Sequence, residues 1–255
     1  MKLLHLSDLH VSLPLSGKNS LRQYLGRLNW ILFRGRHHSA DKIKHAVAAV
    51  LREQPDAVVI SGDLTQLGQD SEFEYAYELL KPLADAGIPI LCSDGNHDHY
   101  AANVNMFYQI RTALLGDLKV DSDFVCNIGN KRIILLDQGV PASLFRSGGS
   151  LGAKTESIKK RLSEGDISVA VGHFPVVNEF GKPLPSRRAL REDTLLAEWL
   201  GGCDAYLCGH RHRAFISVLS GGCLQICAGS ISTSDGELWQ LSWHEDRLCV
   251  SGICI

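Results

Sequence analysis

A single α/β domain built around mixed β-sheets is what this sequence predicts, and three observations predict it. Short, almost uninterrupted apolar runs recur up to His212. Longer stretches with helical periodicity separate them. After His212 the texture changes to short strands divided by Gly, Ser and Asp turns. The length of 255 residues suits one large domain with a substantial core.

In chain order, KLLHL, DAVVIS, IPILCS, KRIILLD, ISVAVGH and AYLCGH read as strands. Their near-continuous apolar character fits a sheet covered on both faces. Helical periodicity marks roughly 40–54, 71–87, 99–116, 154–164 and 188–200, with Ser39 or Asp41 opening the first and Gly87 closing the second. AFISVL, CLQICAG, ELWQLSW and RLCVSGICI then predict an antiparallel end to the chain. No repeat, low-complexity tract or linker interrupts this order.

Composition narrows the function. Apolar residues at 45% and charged residues at 21% are those of a soluble globular protein. The formal net charge of -2 argues against a broadly basic surface, so no stable nucleic-acid partner is expected. The apolar run of MKLLHLSDLH ends at Asp8, too early for a signal-peptide core, and no stretch approaches the ~20 apolar residues of a membrane span. A cytoplasmic location is the expectation. Cys92, Cys126, Cys203, Cys208, Cys223, Cys227, Cys249 and Cys254 form no CxxC pair and mostly lie in apolar runs, so they read as structural.

The segment from about 14 to 38 fits least well. Leu25, Leu28, Trp30, Ile31, Leu32 and Phe33 mingle there with Arg22, Arg27, Arg34 and Arg36. One reading is a helix packed on the domain's edge with its arginines snorkelling outward. Others are a cap over the active site, a dimer contact, or peripheral membrane contact through 21–36. Oligomeric state stays open.

Chemistry-bearing residues gather where the predicted strands end. Asp8 and His10 follow the first, Asp63 the second, and Asn96, His97 and Asp98 the third. His173 ends ISVAVGH, and His210 and His212 follow AYLC. Ligand sites of open α/β sheets form at such C-terminal strand ends. In Asp8-Leu9-His10 and His210-Arg211-His212 the spacing of two lets both side chains face one centre if the segment is extended. Gly62, Gly95, Gly172 and Gly209 precede these residues and permit sharp turns and close backbone approach. His5, His37, His38, His45 and His244 lack this context and read as structural. Asp94 reads as a turn residue, Arg211 as pointing away from the ligands yet able to reach substrate, His99 as a candidate for the pocket wall, and Asp137 as no metal ligand.

The ordered set D8-L-H10, G62-D63, G95-N-H-D98, G172-H173 and G209-H-R-H212 resembles the signature of the calcineurin-like metallophosphoesterase superfamily, complete and in order. The resemblance implies a four-layer α/β/β/α sandwich with mixed sheets and flanking helices. It also implies two divalent metal ions. Asp8, His10 and His212 would bind the first, Asp63 would bridge, and Asn96, His173 and His210 would complete the second site. His97 would meet the substrate phosphate or protonate the leaving oxygen, with Asp98 orienting its imidazole.

Charge balance agrees with this set. Two divalent ions against Asp8 and Asp63 leave a cationic centre that suits an anionic ester. Such a pair generates hydroxide at neutral pH and grips the phosphate oxygens. Manganese is the first expectation, with iron or zinc the alternatives, since the O/N ligand mixture suits all three.

The set looks most like bacterial class III cyclic-nucleotide phosphodiesterases, which implies a small-molecule phosphodiester substrate. A pyrophosphatase acting on a nucleotide-linked lipid such as UDP-diacylglucosamine is the alternative, motivated by the apolar-basic segment. A non-catalytic scaffold with the same fold is the third reading, and no lost ligand supports it.

Overall fold

The computed structural model describes residues 1–15, 20–34, 38–101, 104–141, 147–245 and 247–255, without the side chains of Arg22, Phe33 and Arg34. Arg36 and His37 lie outside the described residues.

Two mixed sheets are stacked face to face. In the first, β1 (Lys2–Leu6), β2 (Ala57–Ser61) and β3 (Ile90–Ser93) run parallel. In the second, β4 (Val125–Ile128) pairs antiparallel with β5 (Lys131–Leu135), followed in parallel by β6 (Val169–Val171) and β7 (Ala205–Cys208). The strand β8 (Ala214–Val218) occupies that sheet's edge, beside β9 (Leu224–Ala228). The chain then returns to the first sheet, where β10 (Leu238–His244) lies antiparallel beside β1 and β11 (Arg247–Ile253) completes the edge.

Period-two alternation decides which residues fill which layer. Leu3, Val59 and Leu91 point inward and meet Ile133, Val171, Leu207 and Ile226 of the opposing sheet. Leu4, Leu6, Val58 and Ile60 point the other way. They pack against α2 (Ala40–Glu53), α3 (Asp70–Asp85) and α4 (Asn105–Leu115). On the far side, Ile134, Ala170 and Tyr206 pack with residues of α5 (Thr155–Ser163) and α6 (Asp193–Trp199). The result is the expected α/β/β/α order. With both faces of each sheet covered, the strands read as continuous apolar runs.

Some expectations need correction. The chain end is not simply antiparallel, because β9 lies parallel to β7 and only the β8–β9 and β10–β11 pairs are hairpin-like. The helix expected from 99 begins at Asn105, since residues 94–100 belong to a hydrogen-bonded loop. The helix expected from 188 begins at Asp193, because Arg188 and Ala189 both donate to Pro185 O in a preceding turn. Six cysteines are buried, but Cys249 and Cys254 are exposed. Among the described residues no helix is long and apolar enough to cross a membrane.

In the 14–38 segment, Ser20 caps α1 (Leu21–Asn29), which runs into a π-helical turn over Trp30–Arg34. The helix packs on the domain, but not through its leucines. Gln23 and Trp30 are buried, whereas Leu21, Tyr24, Leu25, Leu28, Ile31 and Leu32 face solvent.

Candidate metal centre

The C-terminal ends of β1, β2 and β3 from one sheet, and of β6 and β7 from the other, meet along a single edge of the sandwich. Past β1 and β2 the parallel pairing continues as backbone bonds: Asp8 N donates to Gly62 O and His10 N to Asp63 O, at 3.1 and 3.0 Å. The loops carrying the first three candidate ligands are therefore pinned to one another.

These loops are not extended strand, as the spacing argument supposed. Asp8, His10, Asp63, His210 and His212 all have left-handed backbone, with φ of 52°, 48°, 53°, 67° and 53°. The spacing of two works because each ligand repeats the same unusual conformation, turning its side chain to one side, while Leu9 goes to the core. Non-glycine residues rarely hold this conformation without a reason in the surroundings.

Close backbone approach is required at two glycines. A Cβ on Gly95 would collide with Asp63 Oδ1, and one on Gly209 with Ser7 Oγ and Asp8 Oδ2.

The convergence is tight. One donor atom from each of Asp8, His10, Asp63 and His212 lies within 4.8 Å of the others. His10 Nε2 sits 2.9 Å from His212 Nε2, and His212 Nε2 sits 3.2 Å from Asp8 Oδ1. On the other side of Asp63, His173 Nε2 is 3.2 Å from its Oδ2. Nδ1 of His210 is 2.9 Å from Asn96 Oδ1, and the His173 and His210 rings lie 5.2 Å apart. Asp63 thus has Asp8, His10 and His212 on one side and His173 on the other, with His210 and Asn96 next to His173.

The outer hydrogen bonds leave particular atoms facing inward. Asp8 Oδ2 accepts from Ser7 Oγ and His210 N, and Asp63 Oδ1 accepts from His97 N. Asp8 Oδ1 and Asp63 Oδ2, both buried, receive no hydrogen bond. A carbonyl can only accept, so the Ser61 O contact at 2.7 Å puts the His173 proton on Nδ1. Its Nε2 is then the atom turned toward Asp63 Oδ2, and either a second proton or a metal ion can hold the two together.

Without a cation in place, the proton is favoured at that position. Burial opposes charge on His173, yet the Asp63 and Asp8 carboxylates outweigh it and push the imidazole up to about 10. Burial likewise raises Asp8, but His10, His212 and His173 bring it well below the usual carboxylate range. Buried anions drawing protons onto imidazoles form a donor set suited to divalent metal.

Around this centre several residues depart from expectation. Asp98 does not orient His97: its oxygens accept from Leu64 N, Thr65 N, Thr65 Oγ1 and Gly95 N, stitching two ligand loops together. Burial and the neighbouring Asp63 push its carboxyl up to about 7. The His97 ring instead meets Gln66 O at 2.8 Å through Nδ1, stacks on Tyr100 at 5.0 Å, and lies edge-on to His10 at 4.7 Å.

Asp94 is more than a turn residue, accepting from Gln138 N and Gly139 N and pairing with His99 at 2.7 Å. That pairing holds His99 in the loop's support. Asp137 pairs with Arg111 and Lys154. Arg211 contacts Glu179 and lines the cavity over the centre.

His38 corrects another expectation, since its ring lies 5.1 Å from His10 and 4.6 Å from Trp30. No local motif marks it, because it lies outside the strand-end pattern. Above the centre, a cavity of about 440 Å³ is walled by Trp30, His38, Tyr100, Arg188 and Arg211.

Comparison with known proteins accounts for this arrangement. A family model described as calcineurin-like phosphoesterase matches residues 1–214. The chain belongs to the calcineurin-like phosphoesterase family. Within it, the chain is 29% identical over 202 residues to a cAMP/cGMP dual specificity phosphodiesterase of Mycobacterium tuberculosis (strain CDC 1551 / Oshkosh), covering 72% of this chain and 60% of that protein. It is 26% identical over 189 residues to a Rhodococcus erythropolis (strain PR4 / NBRC 100887) protein named "Probable cyclic nucleotide phosphodiesterase", covering 71% of this chain and 60% of the other. The matched regions thus span about 60% of these curated relatives' lengths. The fold is shared with a dimetal phosphatase from Danio rerio at a TM-score of 0.67 and 17% identity, covering 98% and 95% of the two chains.

Proposed function

We propose that this calcineurin-like phosphoesterase hydrolyses a small-molecule phosphodiester, with a nucleotide as the leading substrate class. The observation carrying the reading is the pair of buried, donor-free oxygens Asp8 Oδ1 and Asp63 Oδ2, ringed by imidazoles beneath an open cavity. Asp8, His10 and His212 would hold one ion and Asn96, His173 and His210 the other, with Asp63 between them. When bound, two such ions supply water activation and neutralise charge on the phosphoryl oxygens.

The chain's own residues do the rest. His97 donates its Nδ1 proton to Gln66 O, so Nε2 is the nitrogen that exchanges a proton with the leaving oxygen. Tyr100 holds the ring flat, and Asp98 fixes the loops on which His97 and Asp63 sit. Arg188 and Arg211 bring positive charge to the cavity wall, suiting an anionic ester. The cavity volume falls in the ~300–1,000 Å³ range of small-molecule sites. Similarity to two proteins named for cyclic-nucleotide hydrolysis supports the choice of ester. A lipid-linked pyrophosphate is the second reading, favoured by the exposed apolar face of α1 beside the cavity.

The deciding experiment is hydrolysis of bis(p-nitrophenyl) phosphate and cyclic AMP by metal-stripped protein titrated with manganese, beside Asn96→Ala. Metal-dependent hydrolysis of both esters that collapses in the variant supports the reading. Folded, metal-loaded protein inert on both would overturn it.

A further inference from the structure

We infer that the outer face of α1 and its π-helical extension is a docking surface for an anionic lipid bilayer. The helix is inside-out for a soluble domain. Its inward side is Gln23, Gly26 and Trp30, with Gln23 Nε2 donating to Leu67 O at 3.3 Å and Gly26 seated against Leu67 and Tyr100. The capping box between Ser20 and Gln23 fixes that docking. Leu21, Tyr24, Leu25 and Leu28, at spacings of three and four, form one outward stripe that Ile31 and Leu32 extend. All six are between 46% and 74% exposed. Single exposed apolar residues are ordinary, but a contiguous stripe marks a contact surface.

Charge identifies what makes the contact. From residue 9 to residue 40 the sequence carries Lys18, Arg22, Arg27, Arg34 and Arg36 and no aspartate or glutamate. The remaining 21 basic residues of the total of 26 stand against all 28 acidic ones, so the rest of the chain is net negative. An apolar stripe within a purely basic segment suits a helix lying in the interface of an anionic membrane. A second copy of the chain suits it poorly, because a two-fold interface would set like charges against each other. Gly26, Asn29 and Trp30 line the cavity, so the docked helix would separate the cavity from the bilayer on that side. The inference stands apart from the reaction the site performs.

The test is sedimentation of the full chain with vesicles of phosphatidylcholine alone or mixed with phosphatidylglycerol. The expected result is binding to the mixed vesicles that falls about tenfold without the anionic lipid or in ~0.5 M NaCl. Leu25→Ser/Leu28→Ser/Leu32→Ser should lower it by about tenfold or more, with circular dichroism and soluble-diester hydrolysis unchanged. Failure of docking is thereby read separately from failure of the catalytic assignment. Absent binding by the parent, equal binding by the triple variant, or a solution dimer that the substitutions dissociate would overturn the inference.

Discussion

Five side chains at the centre hang from backbone with φ between 48° and 67°, a conformation that costs a non-glycine residue about 1–3 kcal/mol. The strain persists because neighbouring bonds determine it: Asp8 is fixed by Gly62 O on one side and His210 N on the other. Gly209 makes the second contact achievable, so Gly209→Ala should displace His210 and Asp8 together. The expected outcome is less than one metal ion per chain by elemental analysis, with at least a ~100-fold fall in diester hydrolysis. Retention of full metal content would show that the loop can yield. His97 is different, because it stands outside the expected ligand set and meets it through its backbone N–H at Asp63 Oδ1 and edge-on at the His10 ring. His97→Ala should keep both metals and lose about 10²–10⁴ in turnover on unactivated esters, with a smaller loss on p-nitrophenyl esters whose leaving group needs no proton. Equal losses on the two would assign His97 to phosphate binding instead. The convergence of Asp8, His10, Asp63 and His212 was legible at this scale, but their backbone was not, since αL geometry leaves no mark in residue spacing.

Elements hold these residues through bonds far from the motifs. Glu72, in the first turn of α3, is fully buried and accepts from Leu67 N at 2.8 Å and from Gln69 N and Leu13 N at 3.3 Å. It thereby ties the loop after Asp63 to the segment after His10. Burial raises its carboxyl, and the three backbone donors pull the other way. Glu72→Ala strands those donors and should cost about 2–4 kcal/mol in urea denaturation. A loss below ~1 kcal/mol would mean that water replaces the carboxylate. Patterning predicted α2 and α3 closely because each has an apolar face and a terminal signal, Ser39 for one and Gly87 beyond the other. It misplaced the start of α4, where Asp98 recruits the preceding residues into the loop.

For the whole molecule, the family match stops at residue 214, yet the chain beyond it is structural. The strand β10 pairs with β1, the strand that leads into Asp8, and Leu241 and Trp243 enter the core between the sheets. Truncation after Glu237 should therefore abolish the cooperative unfolding transition rather than trim an appendage. A truncated chain with native circular dichroism and a sharp transition would refute this. The centre also couples to stability as a whole, because it joins both sheets. Metal at about 100 times its Kd adds about 2.7 kcal/mol, so chelation should lower Tm by about 5–10 °C. No change in Tm on chelation would mean that the buried carboxylates are satisfied without a cation.

Residue types and their order along the chain were enough to determine the sandwich and the family, because each depends on local patterns that recur along the chain. Neither the inverted face of α1 nor the arrival of His38 beside His10 is written in any such pattern. The role of Asp98 escaped for the same reason: it pairs with Thr65 and not with its neighbour His97. These depend on where separate segments come to rest against one another, and that is settled only when the two sheets close and their loops compete for the same donors and the same space.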